Sequence, residues 1–104
     1  MANYVMVYSG GSIPETEAEQ QAVMAAWISW YQTLGAAVVD DGNPFGPSAS
    51  VAADGAVSQG APSALTGYTI VSADSLDAAT EHAKGCPVLD SGGRVEVYET
   101  FQIM

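Results

Sequence analysis

At 104 residues, the chain is long enough for one domain with a modest hydrophobic core and too short for two. Twelve acidic residues against two basic ones give a formal net charge of −10, so the chain lacks the basic patch that nucleic acids and anionic membranes require. The first residues lack the basic segment of a secretory signal, and no apolar stretch is long enough to span a membrane. Together with the single cysteine, which excludes an internal disulfide, this predicts a cytoplasmic protein.

The first strand is predicted over Asn3–Tyr8, which is rich in aromatic and β-branched residues. Alternation along it places large apolar side chains on both faces, with Tyr4, Met6 and Tyr8 on one and Val5 and Val7 on the other. Because a strand that is apolar on both faces is typically buried on both, we expect each face of the sheet to be covered.

A long helix is predicted next, with a capping box at Thr16–Glu19 and an end at Gly35. The acidic residues of its first turn fit the helix dipole rather than catalysis. Helical spacing gives two adjacent apolar stripes, Val23, Trp27, Trp30 and Leu34 in one and Met24, Ile28 and Tyr31 in the other. Together they span roughly 160°, more than one sheet normally covers, so part of this arc should contact another surface.

The second strand is predicted over Ala36–Asp40 and runs into a rigid turn at Asp41–Pro47. The stretch that follows holds few large apolar side chains. A turn signal at Ala53–Ala56 nevertheless predicts a hairpin, with short strands near Ser50–Val51 and Val57–Ser58.

The second half of the chain repeats the pattern, with a strand at Gly67–Ser72, a helix capped by Asp74 and a final strand at Arg94–Met104. The narrow packing face of this helix consists of Leu76, Ala79, Thr80 and Ala83. Two strand–helix–strand halves predict a single α+β domain over residues 1–104, a ferredoxin-like βαβ-βαβ sheet with both helices on one face.

Two adjacent carboxylates, Asp40 and Asp41, stand where the second strand gives way to its turn. Neighbours along a strand point to opposite faces, so they form no dyad unless the chain has already turned. Either one could bind a ligand or abstract a proton as a base, and the alternative is ordinary turn chemistry. A site here should face Trp27 or Tyr31 on the first helix, because loops on rigid scaffolds often carry function.

Aromatic side chains on the strands are further candidates for binding a ligand, although aromatic residues more often belong to the core. Tyr8 and Tyr68, together with Tyr4 and Tyr98, would border one hollow if their faces coincide. Glu99 interrupts an apolar stripe of the last strand, so we expect it to face either that hollow or a dimer interface.

Other constellations favour structural roles. Cys86 and His82 are four residues apart, but Gly-Cys-Pro at 85–87 ends the helix, so we expect a solvated histidine and a dispensable, buried thiol. The turn Ser9–Ser12 lacks the spacing of a phosphate-binding loop. A single histidine and the absence of calcium-loop spacing predict no metal site, and no cofactor motif is present.

Three segments of the chain resemble the YCII-related family: Trp27–Gly35, Val38–Gly46 and Gly67–Glu99, the last containing Gly85–Pro87 and Gly92–Tyr98. The resemblance covers nearly the whole chain and implies a dimeric α/β barrel, in which two ferredoxin-like sheets face each other with their helices outside. Such a homodimer would cover the second apolar face of the first strand. Members of this family mostly lack an assigned activity, so the resemblance implies a fold more than a reaction.

Two departures from the family bear on the chemistry. Many relatives carry an Asp-Gly-Pro-Phe motif that the stretch near Ser58–Ser63 does not match. Some relatives pair a histidine of the first helix with an aspartate after the second strand, and that pair is thought to be catalytic. Met24 stands nearest to the place of that histidine, so Asp40 or Asp41 lacks the family's partner.

Three functions remain open. The leading one is a homodimer that binds a small organic molecule between sheet and helix. The second is a lyase or isomerase that uses Asp40 or Asp41 as its base. The third is a regulatory protein without a small ligand, since relatives are often encoded beside sigma factors. An open pocket with a polar end would favour the first two, and a pocket filled by tyrosine and tryptophan would favour the third.

Overall fold

The computed structural model describes residues 1–103, and Met104 lies outside the described part. In chain order its elements are β1 (Ala2–Ser9), α1 (Glu17–Leu34), a 3-10 turn (Gly35–Ala37), β2 (Val38–Asp40), β3 (Ala49–Val51), β4 (Val57–Gln59), β5 (Leu65–Ala73), α2 (Leu76–Ala83), a second 3-10 turn (Pro87–Ser91) and β6 (Arg94–Glu99). Neither helix of this described part has the length and apolarity to cross a bilayer.

Four of the strands form one sheet in the order β2-β5-β1-β6, and each neighbouring pair is antiparallel. Helix α1 connects β1 to β2, which lies two positions away, and α2 connects β5 to β6 in the same manner. This layout is that of a ferredoxin-like α+β fold, so the prediction from the two strand–helix–strand halves is confirmed.

Both helices pack on the same face of this sheet, where the core lies. Alternate residues of β1 and β5 point toward the helices and are buried. The core consists of Tyr4, Met6, Tyr8, Val71 and Ala73 from these strands, Trp30 and Leu34 from α1, Ala79 and Ala83 from α2, and Cys86. The first of the two apolar faces predicted for β1 is therefore buried within one chain.

The opposite face of the sheet carries a partly buried apolar patch, with Glu96 beside it opposite Val7. Val5 and Val7 of β1 are half-buried. Their partners in β5 are Ile70 and Tyr68, which are also half-buried. On the other edge of β1, Val5 lies opposite Tyr98, whose side chain is 55% exposed. We call this surface the open face; it is the second of the two faces that the sequence expects to be covered.

The helix caps follow the sequence with one correction. Thr16 caps α1, because its hydroxyl oxygen accepts a hydrogen bond from the Glu19 N–H at 3.1 Å. The Glu19 carboxylate accepts in turn from the Glu15 N–H at 3.1 Å, one residue earlier than in a standard capping box. In α2 the N-cap is Ser75 and not the predicted Asp74, since the serine hydroxyl accepts from the N–H three residues on at 3.1 Å.

Two strands are shorter than predicted. β2 begins at Val38, because the chain leaves α1 through the 3-10 turn at Gly35–Ala37. β6 ends at Glu99, short of the predicted Met104, which lies outside the described residues. One further bond, from the Thr100 N–H to the Asn3 carbonyl oxygen at 2.9 Å, joins the chain to β1 close to the first residue of β1, Ala2. Phe101, which follows β6, is 79% exposed.

The predicted hairpin is confirmed as a separate two-stranded sheet of β3 and β4. Its turn forms at Asp54 and Gly55, where the Asp54 carboxylate accepts from the Ala56 N–H at 2.9 Å and Gly55 has a φ of +89°. The side chains of Val51 and Val57 are 69% and 64% exposed. The hairpin is thus an insertion between the second and third strands of the main fold.

Gly42 fixes the turn that follows β2. Its φ of +73° is left-handed, and a Cβ at this position would lie 1.7 Å from the Tyr68 carbonyl oxygen. We predict that Gly42→Ala lowers the free energy of unfolding by at least about 2 kcal/mol, because relieving the clash would displace β5. Urea denaturation measures this change. Gly46→Ala is the matched control, since a Cβ there meets nothing within 4 Å, and equal losses in both variants would contradict the prediction.

Candidate functional site

A cleft opens between the first half of α1 and the turn that follows β2. Its volume is about 590 Å³, which lies within the range of sites for small organic molecules. Residues of β1 and β5 line its base, residues of α1 line one wall, and residues 41–44 line the opposite wall. The cleft lies beside the end of the second strand and includes Trp27 and Tyr31, which is the place where the sequence predicts a site.

The walls of the cleft are largely apolar. Val23, Met24 and Trp27 contribute from α1, Pro44 from the loop after β2, and Val88 from the 3-10 turn after α2. Val23 and Met24 are 41% and 64% exposed, because they lie on the part of the α1 arc that extends beyond the sheet. The wide apolar arc predicted for α1 therefore lines the cleft as well as the core.

Three aromatic rings stand side by side along the cleft. The Tyr8 and Trp27 ring centroids are 5.3 Å apart in an edge-to-face arrangement, and those of Trp27 and Tyr31 are 5.9 Å apart. Tyr8 is buried, whereas Trp27 and Tyr31 are half-buried. Because they are packed against each other and against the core, these rings form a rigid side of the cleft.

A hydrogen-bond network closes the polar end of the cleft. The Tyr8 hydroxyl donates to Thr69 Oγ1 at 2.5 Å, and Thr69 Oγ1 donates to the Asp41 carbonyl oxygen at 3.2 Å. The Tyr31 hydroxyl donates to the same carbonyl oxygen at 3.0 Å. The Asp41 carbonyl oxygen thus accepts hydrogen bonds from both β5 and α1, and these bonds fix the position of residue 41 relative to both elements.

The tyrosines of this network act as donors and not as bases. Burial raises the pKa of the Tyr8 and Tyr31 hydroxyls, although their hydrogen bonds to Thr69 oppose the change. Both phenols are therefore protonated at neutral pH, and both protons are directed at protein acceptors. Their effect on the site is to position the backbone of Asp41.

The two predicted carboxylates have different surroundings. Asp40 Oδ1 accepts from the Gly42 N–H at 2.8 Å, and its Oδ2 accepts from the Tyr68 hydroxyl at 3.4 Å. Asp40 therefore holds the turn. Asp41 lines the cleft, and no donor within residues 1–103 is paired with its carboxylate. Of the two, Asp41 is the one that lines the cleft and whose carboxylate is unpaired among the described residues.

The structure brings five of the seven predicted site residues together, namely Tyr8, Trp27, Tyr31, Asp41 and Tyr68. Tyr68 also lines the cleft, although alternation along β5 places its ring on the open face with Val7, where it stacks on that of Phe45 at a centroid distance of 5.8 Å. Asp40 supports the adjacent turn through its hydrogen bonds. The grouping follows from the fold, because the turn after β2 runs beside the end of β5 that is nearest to α1.

Glu99 is not part of the cleft. It pairs with Tyr4 at the opposite end of β1, and the Tyr4 hydroxyl donates to Glu99 Oε1 at 3.5 Å. The expected single hollow of tyrosines does not form either. Tyr4 and Tyr8 point to the helices, whereas Tyr98 lies on the open face, because its partner in β1 is Val5.

Several residues of the site were not predicted from the sequence. Thr69 links Tyr8 to the Asp41 carbonyl and is fully buried. The sequence does carry a signal for Thr69, because alternation along β5 places its hydroxyl on the same inward face as Val71. A buried hydroxyl needs a hydrogen-bond partner, so this position predicts a polar contact inside the fold. Val88 reaches the cleft from a 3-10 turn, for which the sequence carries no periodic signal.

Cys86 is buried, as predicted, and it lies near Tyr8. Burial raises the pKa of its thiol to about 11, although a hydrogen bond from the Val88 backbone opposes the change. His82 is half-buried rather than fully solvated as expected. Its carbonyl oxygen accepts from Trp30 Nε1 at 3.0 Å, which holds the end of α2 against α1. Within residues 1–103 no hydrogen bond joins the imidazole to the thiol.

A second, more open cleft adjoins the first across Val23 and Trp27. Its volume is about 630 Å³, and its lining includes the turn after β1, Glu19 of α1 and Asp90 of the 3-10 turn. In the part of the chain that the structure describes, no three or more His, Cys, Asp and Glu side chains lie close enough together to hold a metal ion.

The raised thiol pKa predicts that Cys86 is unreactive near neutral pH. Iodoacetamide should alkylate the folded protein at least about tenfold more slowly than the protein unfolded in guanidinium chloride, because only the thiolate attacks. Mass spectrometry of timed samples measures the two rates. Rapid alkylation of the folded protein would contradict the prediction and indicate an activated thiolate.

The raised pKa of the Cys86 thiol also makes the stability of the fold depend on pH. The thiol pKa is 9.0 in its ordinary state and about 11 in the fold, so the unfolded chain loses its proton first. The contribution of Cys86 to stability is complete below about pH 9 and is lost as the pH rises toward 11. Cys86→Ser, which does not titrate in this range, should show a shallower loss of stability there.

Comparisons with known proteins bear on the identity of the chain. A search of curated proteins found no match. The family model of the YCII-related domain matches residues 4–103, which include both helices, the hairpin and the residues of the cleft. The chain therefore belongs to the YCII-related domain family.

Proposed function

We propose that this protein binds a small organic molecule in the cleft between α1 and the loop after β2, and that it does so as a homodimer. The observation that carries the binding proposal is an open volume of about 590 Å³ with apolar walls and the unpaired carboxylate of Asp41. Sites for small molecules usually combine apolar walls with a few convergent polar groups.

The rigidity of the cleft supports this proposal. Hydrogen bonds from Thr69 and Tyr31 hold the Asp41 backbone in place. A site that is already ordered loses little conformational entropy when a ligand binds. The aromatic rings border the open volume and do not fill it, which favours a ligand-binding protein over a regulatory protein without a small ligand.

A lyase or isomerase that uses Asp41 as its base is the second candidate, because this carboxylate lines the cleft. Acid–base catalysis relies on side chains that can exchange protons with the substrate. Met24, which stands nearest to the place of the histidine that some relatives carry, lines the α1 wall, and a thioether transfers no proton. Asp40, the other candidate base, is engaged in the turn. Binding without catalysis is therefore the better supported function.

The homodimer proposal rests on the open face of the sheet. Val5, Val7 and Ile70 are only half-buried there, and Tyr98 is 55% exposed. Packing this face against the same face of a second copy would remove its apolar surface from water. Strands that are apolar on both faces are typical of sheets that are covered on both.

The proposal includes a cytoplasmic location. Cys86 is a free, buried thiol, and free thiols are typical of reducing compartments. The net charge of −10 also favours a partner other than nucleic acid or an anionic membrane surface.

Asp41→Ala should remove ligand binding and leave the fold intact, because no donor within residues 1–103 is paired with the carboxylate and the backbone carbonyl remains. A screen of small aromatic and aliphatic fragments, read by amide chemical shifts, should find binders that shift residues lining the cleft. In the variant their affinity should fall by about tenfold or more.

Asp40→Ala is the matched control for stability. It removes the hydrogen bonds to the Gly42 N–H and the Tyr68 hydroxyl and should lower the free energy of unfolding by about 1 kcal/mol. Asp41→Ala should change it by less. Fragment binding that persists in Asp41→Ala, or that maps to another surface, would overturn the proposed site.

In solution the protein should have twice the 10.7 kDa mass of its chain. Light scattering at micromolar concentration measures the mass. Val7→Glu places a charge on the open face and should yield a monomer that circular dichroism shows to be folded. Leu76→Glu, a change of a side chain on α2 that is 47% exposed, should remain a dimer. A monomeric wild-type protein would overturn the homodimer proposal.

A further inference from the structure

The cleft and its neighbour carry charge of one sign. The ionised side chain that lines the cleft is Asp41, and those that line the adjoining cleft are Glu19 and Asp90. Carboxylates on the walls of a cleft raise the local concentration of cations and lower that of anions. The excess of acidic residues in the whole chain, with a net charge of −10, acts in the same direction.

The two basic side chains of the sequence lie elsewhere and do not offset this field. Lys84 forms an ion pair with Glu81 on the surface of α2, with 2.6 Å between nitrogen and oxygen. Arg94 lies opposite Ser9 at the start of β6 and is exposed. Neither lines either cleft.

The hydroxyl groups of the cleft also disfavour an anionic ligand. The Tyr8 and Tyr31 protons are donated to Thr69 and to the Asp41 carbonyl. The Tyr68 hydroxyl proton is directed at Asp40. A bound carboxylate or phosphate would therefore meet the charge of Asp41 without a cation or a free phenol to offset it.

The aromatic wall of the cleft, in contrast, favours a cationic ligand. Trp27 and Tyr31 line the cleft on the same side of α1, with ring centroids 5.9 Å apart. The faces of such rings attract cations, and indole does so most strongly. Asp41 lines the same cleft, and its carboxylate, which no donor within residues 1–103 pairs with, is near enough to Tyr31 to raise the pKa of that hydroxyl and can accept a hydrogen bond from an ammonium group.

From this combination we propose that the cleft binds an organic cation, a protonated amine attached to an aromatic or aliphatic body. The ammonium group pairs with Asp41, and the body contacts the apolar wall that includes Met24 and Trp27. This inference rests on the proposed function and deepens it by naming the class of ligand.

Three probes of similar shape and different charge test the proposal: phenethylamine, phenethyl alcohol and hydrocinnamate. Each is titrated into the full-length protein at low salt and neutral pH, and the amide shifts of residues lining the cleft are followed. Phenethylamine should bind at least about tenfold more tightly than the alcohol, and hydrocinnamate should bind most weakly. Added salt should reduce the advantage of the amine.

Two variants identify the charge that is responsible. Asp41→Asn keeps the shape of the side chain and should abolish the advantage of the amine while the affinity for the alcohol stays within about twofold. Asp77→Asn removes one exposed carboxylate from the first turn of α2 and should keep the advantage. An equal loss in both variants would show a general effect of net charge and overturn the pairing with Asp41.

The outcomes separate this inference from the proposed function. If the alcohol shifts the cleft residues and the amine binds no more tightly, or if hydrocinnamate binds best, the cation assignment is overturned and ligand binding in the cleft stands. If no probe binds while the fragment screen finds other ligands of the cleft, the cation assignment is likewise overturned and ligand binding in the cleft stands. If neither the probes nor the fragments shift cleft residues, both proposals are overturned.

Discussion

Strand β1 pairs with β5 along one edge and with β6 along the other, and its alternation decides the character of both faces of the sheet. Its tyrosines and methionine form the core beneath the helices, and its valines form the open face. A register shift of one residue would exchange the two sets and remove both the core and the hydroxyl of Tyr8 that begins the network at the cleft. Core and site therefore depend on the same register.

Features with a regular period were predictable from the sequence, whereas features set by distant parts of the chain were not. The order of the elements, the hairpin and the cap of α1 all follow from local patterns. The N-cap of α2 lies one residue later than predicted, because Asp74 and Ser75 are both good N-caps and the local sequence does not distinguish between them. The end of β6 depends on where β1 begins, which no property of residues 99–104 encodes.

The same distinction explains which residues of the candidate site could be predicted from the sequence. Asp41 and the α1 arc could be assigned to one place, because a ferredoxin-like fold brings the end of its second strand near its first helix. Glu99 lies on the helix-facing side of the sheet, as Tyr8 does, but at the other end of the strands. Periodicity gives the face on which a side chain lies and not its distance along that face. Thr69 and Val88 join the site through tertiary contacts alone.

The fold holds residue 41 by its carbonyl oxygen, which every amino acid possesses. The side chain at this position is therefore free to vary without loss of the hydrogen bonds that stabilise the loop. Many binding sites evolve slowly because a new specificity also weakens the fold. In the proposed site the two properties are carried by different atoms of one residue, while a side chain at the neighbouring Gly42 would clash with β5. Under that proposal, single substitutions at position 41 exchange one class of ligand for another and keep the same scaffold.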